Sequence, residues 1–130
     1  MGYYSDYSGS YEPSRPIPAE VAKEINDMGL DLFVYPDDGK FYDCPGEPGE
    51  VCPVMCNMKG YNFDTDLLKI VKILARHGIE LTGEVERVGE SSYDYEKIIA
   101  RDGKVFTAFG EVVYRYEGEV KDYDDEEVTK

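Results

Sequence analysis

The chain has 130 residues, the length of one ordinary domain, and 28 acidic against 14 basic residues give a formal net charge of −14. Such a charge repels phosphate, which sets aside nucleic-acid binding through a basic surface and docking on an anionic membrane. Hydrophobic residues make up 42%, enough for one modest core, and these numbers, with 13 Gly, 7 Pro, 12 Tyr and no Trp, exclude two globular domains, a collagen and a coiled coil.

The first fourteen residues, MGYYSDYSGSYEPS, hold tyrosines at positions 3, 4, 7 and 11 and no apolar run, so they read as an edge strand and not as a secretory signal. Asp6 stands where an N-myristoylation motif needs Ser or Thr. Residues 18–28 predict a helix: Pro18 suits the first turn, Val21, Ala22, Ile25 and Met28 form a stripe, and Gly29 can end it. Residues 30–35 and 40–43 read as two strands of a hairpin turned by Pro36-Asp37-Asp38-Gly39.

Residues 44–62, CPGEPGEVCPVMCNMKGYN, show no period and predict a long loop. A helix capped by Asp64 or Thr65 then runs to about His77, with Leu67, Ile70, Val71 and Leu74 at i, i+3, i+4 and i+7 and Gly78 as its stop. Lys69 and Lys72 interrupt this apolar stretch, which is far too short for a membrane span. Strands follow at 79–88, 93–100 and 104–116, turned by Gly89-Glu90-Ser91-Ser92 and Asp102-Gly103, with Gly110 as a bulge. Residues 117–130 form an acidic tail too polar to bury. The expectation is one α+β domain over 1–116, an antiparallel sheet of five or six strands with two helices packed on one face and a C-terminal three-stranded meander.

The opening MGYYSDYSG, Pro16-Ile17 before a helix, Leu81-Thr82-Gly83-Glu84 leading to Gly89-Glu90, and Ala100-Arg101-Asp102-Gly103-Lys104-Val105 together resemble a family of small uncharacterised proteins of bacteria, notably actinobacteria, and their phages. The resemblance covers residues 1–20 and 79–116. The cysteine loop at 44–56 and the acidic tail depart from it. It implies a small, phage-borne accessory protein and brings no catalytic residues.

Three cysteines, Cys44, Cys52 and Cys56, are an odd number in a local cluster, which argues against a disulfide framework and for a soluble protein of the reducing cytoplasm. With His77 they could form a Cys₃His zinc site. The spacing lacks a C-x₂-C knuckle, so three packed thiols and a helix-terminal imidazole account for the same residues without metal, and no cofactor is the expectation. The chain has one histidine and no G-x-S-x-G, P-loop, G-x-G-x-x-G or H-E-x-x-H pattern, so a non-enzymatic role is expected and a Cys–His dyad ranks last.

The acidic pattern carries more. Glu80, Glu84 and Glu86 alternate along one strand, Tyr93, Asp94, Tyr95 and Glu96 lie on the next, and Glu111 follows. Carboxylates two residues apart on a strand stand about 6.7 Å apart, sparser than the charge every ~1.7 Å of duplex DNA axis. Several strands together would be needed to approach that density. These residues predict a surface for a basic protein partner, their carboxylates pairing with Arg and Lys and their tyrosines adding rigid contact area. The corresponding function is an inhibitor or nucleic-acid-mimicking decoy of a host effector, such as a defence nuclease or CRISPR effector. A protein-interaction accessory protein with a structural Cys/His zinc site is the alternative.

Overall fold

The structure, a computed structural model, describes residues 3–36, 47–110 and 118–119. Its elements run β1 (Ser5–Pro13), α1 (Ala19–Asp27), β2 (Leu32–Val34), β3 (Val51–Pro53), β4 (Asn57–Met58), α2 (Phe63–Arg76), β5 (Leu81–Gly89), β6 (Tyr95–Arg101) and β7 (Lys104–Phe109). The fold is α+β. Among the described residues seven strands form one antiparallel sheet in the order β2-β3-β1-β5-β6-β7, with β4 also paired to β1. The C-terminal strands β5, β6 and β7 form the expected meander.

The long strand β1 organises the sheet. Its nine residues pair with β5 along their whole length, from Ser5 opposite Gly89 to Pro13 opposite Leu81. Its other edge is shared by β3 near Tyr11 and β4 near Ser5. The expected edge strand is therefore an interior one. The cause is the alternation of Ser5, Tyr7 and Tyr11, all buried, with exposed Asp6, Ser8 and Glu12. Two glycines permit the close approach. A Cβ on Gly9 would lie 2.5 Å from the Glu84 carbonyl oxygen, and one on Gly83 would lie 2.6 Å from that of Ser10. Both backbones also have positive φ, at 116° and 144°, which L side chains rarely adopt.

α1 buries Val21 and Ile25, whereas Met28, placed on the same stripe by the sequence, lies in the turn beyond the helix and is exposed. α2 buries Leu67, Ile70, Val71, Ile73 and Leu74, and full burial of each such side chain contributes about 1.5–3 kcal/mol. Its N-cap is Asn62, not Asp64 or Thr65. Phe63 begins the helix two residues early because its ring stacks on Tyr7, centroids 4.8 Å apart. The Tyr11 hydroxyl, at the centre of the core, donates to the Ile98 carbonyl at 2.8 Å.

The segment expected to be one long loop contains β3 and β4. β3 pairs with β2, Phe33 opposite Cys52, in the place where a partner at 40–43 was expected. Residues 40–43, with the rest of 37–46, lie outside the described residues, as do the continuation of β7 past Gly110 and the acidic tail from 120 onward. Among the described residues no helix is long and apolar enough to cross a membrane.

Candidate functional site

The sheet has two faces, and β5 distributes its charges between them. Leu81, Val85 and Arg87 point toward the helices, while Thr82, Glu84, Glu86 and Val88 point to the open side. Arg87 is thus a cation at a core-facing position, where an unpaired charge would be costly. Three acceptors surround it. Its Nε donates to Glu96 at 2.8 Å, its Nη2 and Nη1 donate to the two oxygens of Asp94 at 2.9 and 3.2 Å, and Nη1 also donates to the Ser5 hydroxyl at 3.1 Å. The fork of Arg87 against Asp94 is bidentate.

Asp94 also accepts the Tyr3 hydroxyl proton, and that hydroxyl accepts the Ser91 amide proton at 2.9 Å. The Arg87 guanidinium and then the Tyr3 hydroxyl hold the Asp94 carboxyl below its ordinary value. The hydrogen bond to Asp94 raises Arg87 and outweighs the opposing effect of burial, with the hydrogen bond to Glu96 adding to it. This cluster ties the N-terminal segment to the β5–β6 turn. It also forms one wall of a cavity of about 220 Å³, which Tyr7 and Phe63 line from β1 and α2 and Lys59 and Tyr61 from the approach to α2. Burial, partly offset by the Arg87 charge, pushes the Tyr7 hydroxyl up to about 12, and Asp31, Glu96 and Asp64 add to the rise.

The residues expected to form one partner-binding surface are divided by this geometry. Glu84 and Glu86 stand exposed on the open face, opposite Ser10 and Ser8 of β1. Tyr95 joins them there beside Val88. Asp94 and Glu96 are drawn to Arg87 instead. Tyr93 sits in the β5–β6 turn, 59% exposed, at a φ of 68°. Glu80 precedes β5, and its carboxylate accepts the Asp102 amide proton at 3.1 Å. Glu111 lies outside the described residues.

Cations interleave on the same open face. Lys97, opposite Glu86, reaches Glu84 at 3.1 Å, and Arg101 lies 5.2 Å over the Phe106 ring. Lys104 pairs opposite Arg101. The open face therefore carries carboxylates on its β1–β5 side (Asp6, Glu12, Glu84 and Glu86) and cations on its β6–β7 side. Val88, Tyr95 and Phe106, each roughly 40% exposed, contribute apolar surface to it.

Of the expected sulfur ligands the structure describes two, Cys52 and half-buried Cys56. Cys44 lies outside the described residues, Cys52 is fully buried in β3, and His77 is the exposed C-cap of α2. Burial pushes the Cys52 thiol up to about 12, with Glu50 and Cys56 adding to the effect, which opposes the thiolate that zinc or nucleophilic catalysis needs. Among the described residues no three His, Cys, Asp or Glu side chains gather as metal ligands.

A scan against protein-family models finds no match, and neither curated proteins nor solved structures match the chain. Residue roles therefore come from geometry alone. The residue that sequence reasoning missed is Arg87. Its signal was present in the parity of β5, where a cation shares the face of Leu81 and Val85 and so requires carboxylates opposite it.

Proposed function

We propose that this chain is a non-enzymatic binding protein whose open sheet face docks on a basic surface of a protein partner. The observation that carries the reading is the placement of Glu84 and Glu86. They stand two residues apart and solvent-exposed, above the small side chains of Ser8 and Ser10 and beside exposed Val88 and Tyr95. Low neighbours on β1 let a partner's Arg or Lys side chain reach both carboxylates, and Val88 and Tyr95 supply apolar area beside the charged contacts. The net charge of −14 adds long-range attraction that speeds encounter with a basic surface. An accessory role in a phage setting, inhibiting a nucleic-acid-binding host effector, is the finer form of the same proposal. It adds one requirement, that the partner's nucleic acid and this chain compete.

The test is capture of partners at two ionic strengths with the native chain and with the Glu84→Lys/Glu86→Lys variant. Binding through this face is lost at high salt and in the charge-reversed variant, because exposed ion pairs are screened beyond about 8 Å at physiological ionic strength. A partner retained equally by both proteins at both salt concentrations overturns the reading. Displacement of that partner's nucleic acid in a competition assay then decides the decoy form.

A further inference from the structure

The cavity beside Arg87 lies on the helix side of the sheet, opposite the open face, and aromatic rings and charged groups dominate its lining. Four aromatic side chains line it, Tyr3, Tyr7, Tyr61 and Phe63, together with the carboxylates of Asp64 and Glu96. At about 220 Å³ it is smaller than the ~300–1,000 Å³ of pockets for drug-sized ligands, so it suits one short chain or one side chain. We propose that this cavity binds a primary alkylammonium group, carried either by a free amine or by a lysine side chain of another protein.

Charge and hydrogen-bonding capacity favour that ligand over its alternatives. Two carboxylates (Asp64, Glu96) and two cations (Lys59, Arg87) line the cavity, and Arg87 is already held by Glu96 and by Asp94, which lies outside the lining. An anion would meet a guanidinium whose charge is compensated. A ligand guanidinium would need both oxygens of one carboxylate for its fork. Arg87 occupies Oε1 of Glu96, and the Thr65 amide occupies Oδ1 of Asp64 at 2.8 Å. Among the described residues Glu96 and Asp64 thus each keep one oxygen, which matches an ammonium whose donors point separately. The faces of aromatic rings attract a cation electrostatically. Lys59 lines the cavity while its ammonium lies 5.6 Å from the Tyr4 ring centroid, so it is the one lining residue whose charge opposes the ligand without compensation from the cluster.

That opposition gives the test its sign. The full chain is titrated with n-butylammonium chloride at pH 7, with sodium butyrate as the anion control at equal ionic strength, and backbone amide shifts at Ser5, Gly60 and Tyr61 are followed. Saturable shifts with butylammonium and none with butyrate are expected. Lys59→Ala tightens binding at least twofold, and Asp64→Asn and Tyr61→Ala each weaken it at least twofold. All three residues are exposed, so folding is preserved. Nα-acetyl-lysine methylamide separates the sources: affinity within threefold of butylammonium assigns a protein lysine, and tenfold weaker binding assigns a free amine. The proposal is overturned if neither amine saturates, if butyrate binds more tightly, or if Lys59→Ala weakens the amine.

Discussion

Glu86 and Arg87 are neighbours in sequence and occupy opposite electrostatic settings. Glu86 stands in water on the open face, where Lys97 opposite it is half-exposed. Arg87 lies on the helix side, with 15% of its side chain exposed and two carboxylates and a hydroxyl bound to it. The charges are of similar size and their consequences differ, because water screens the first and the low-dielectric interior leaves the second dependent on its partners. Charges on the open face are available to another molecule, whereas those around Arg87 are committed to holding Tyr3, Ser5, Asp94 and Glu96 together.

The sharpest way to break this contrast is Arg87→Met, which keeps the stem and removes the charge. Two partly buried carboxylates are left facing each other, and we expect a loss of about 3 kcal/mol in urea denaturation at pH 7. A loss no larger than that of an exposed salt bridge, under about 1 kcal/mol, would mean the cluster is solvated and the two faces are alike.

Acid weakens the same cluster more gently. Arg87 and Tyr3 lower the Asp94 carboxyl in the folded state, so its contribution to stability is present above the ordinary value of 3.8 and is lost as pH falls through the lower folded value. The gap in urea midpoint between the native chain and Arg87→Met therefore narrows between pH 5 and pH 2.5. A gap that stays constant over that range removes the ion pair as its cause.

The periodic parts of this molecule were legible in its sequence. The α2 stripe from Leu67 to Leu74 and the alternation of Leu81 and Val85 led directly to elements that the structure contains. What stayed hidden was short or depended on a distant partner. β3 and β4 have three and two residues, too few to show a period, and lie among Pro, Gly and Cys. The interior position of β1 depends on Gly9, opposite Val85, and Gly83, opposite Tyr11, admitting each other's strands, a pairing between distant parts of the chain that local pattern does not encode. The division of the acidic residues followed from parity. Ile98 and Ala100 face the core, so Glu96 turns inward with them and Tyr95 and Lys97 turn outward. Counting carboxylates per strand grouped side chains that the sheet separates.

The smallest expected effect bears most directly on the open face. Lys97 reaches Glu84 at 3.1 Å with half of each side chain exposed, and such a pair contributes little to stability because both ends are already well solvated. Lys97→Met should leave the urea midpoint where it is. It should nevertheless speed association with a basic partner, since it removes the cation that answers Glu84 and lies opposite Glu86 while keeping the apolar stem beside Ala108. Stopped-flow association at low and at physiological salt measures this, the gain shrinking as salt rises. A slower association would assign the docking contact to the cationic β6–β7 side and reverse the sign of the partner's surface. An altered midpoint with unchanged association would make Lys97 a structural residue, and the contrast between the two faces would then lie in degree of burial alone.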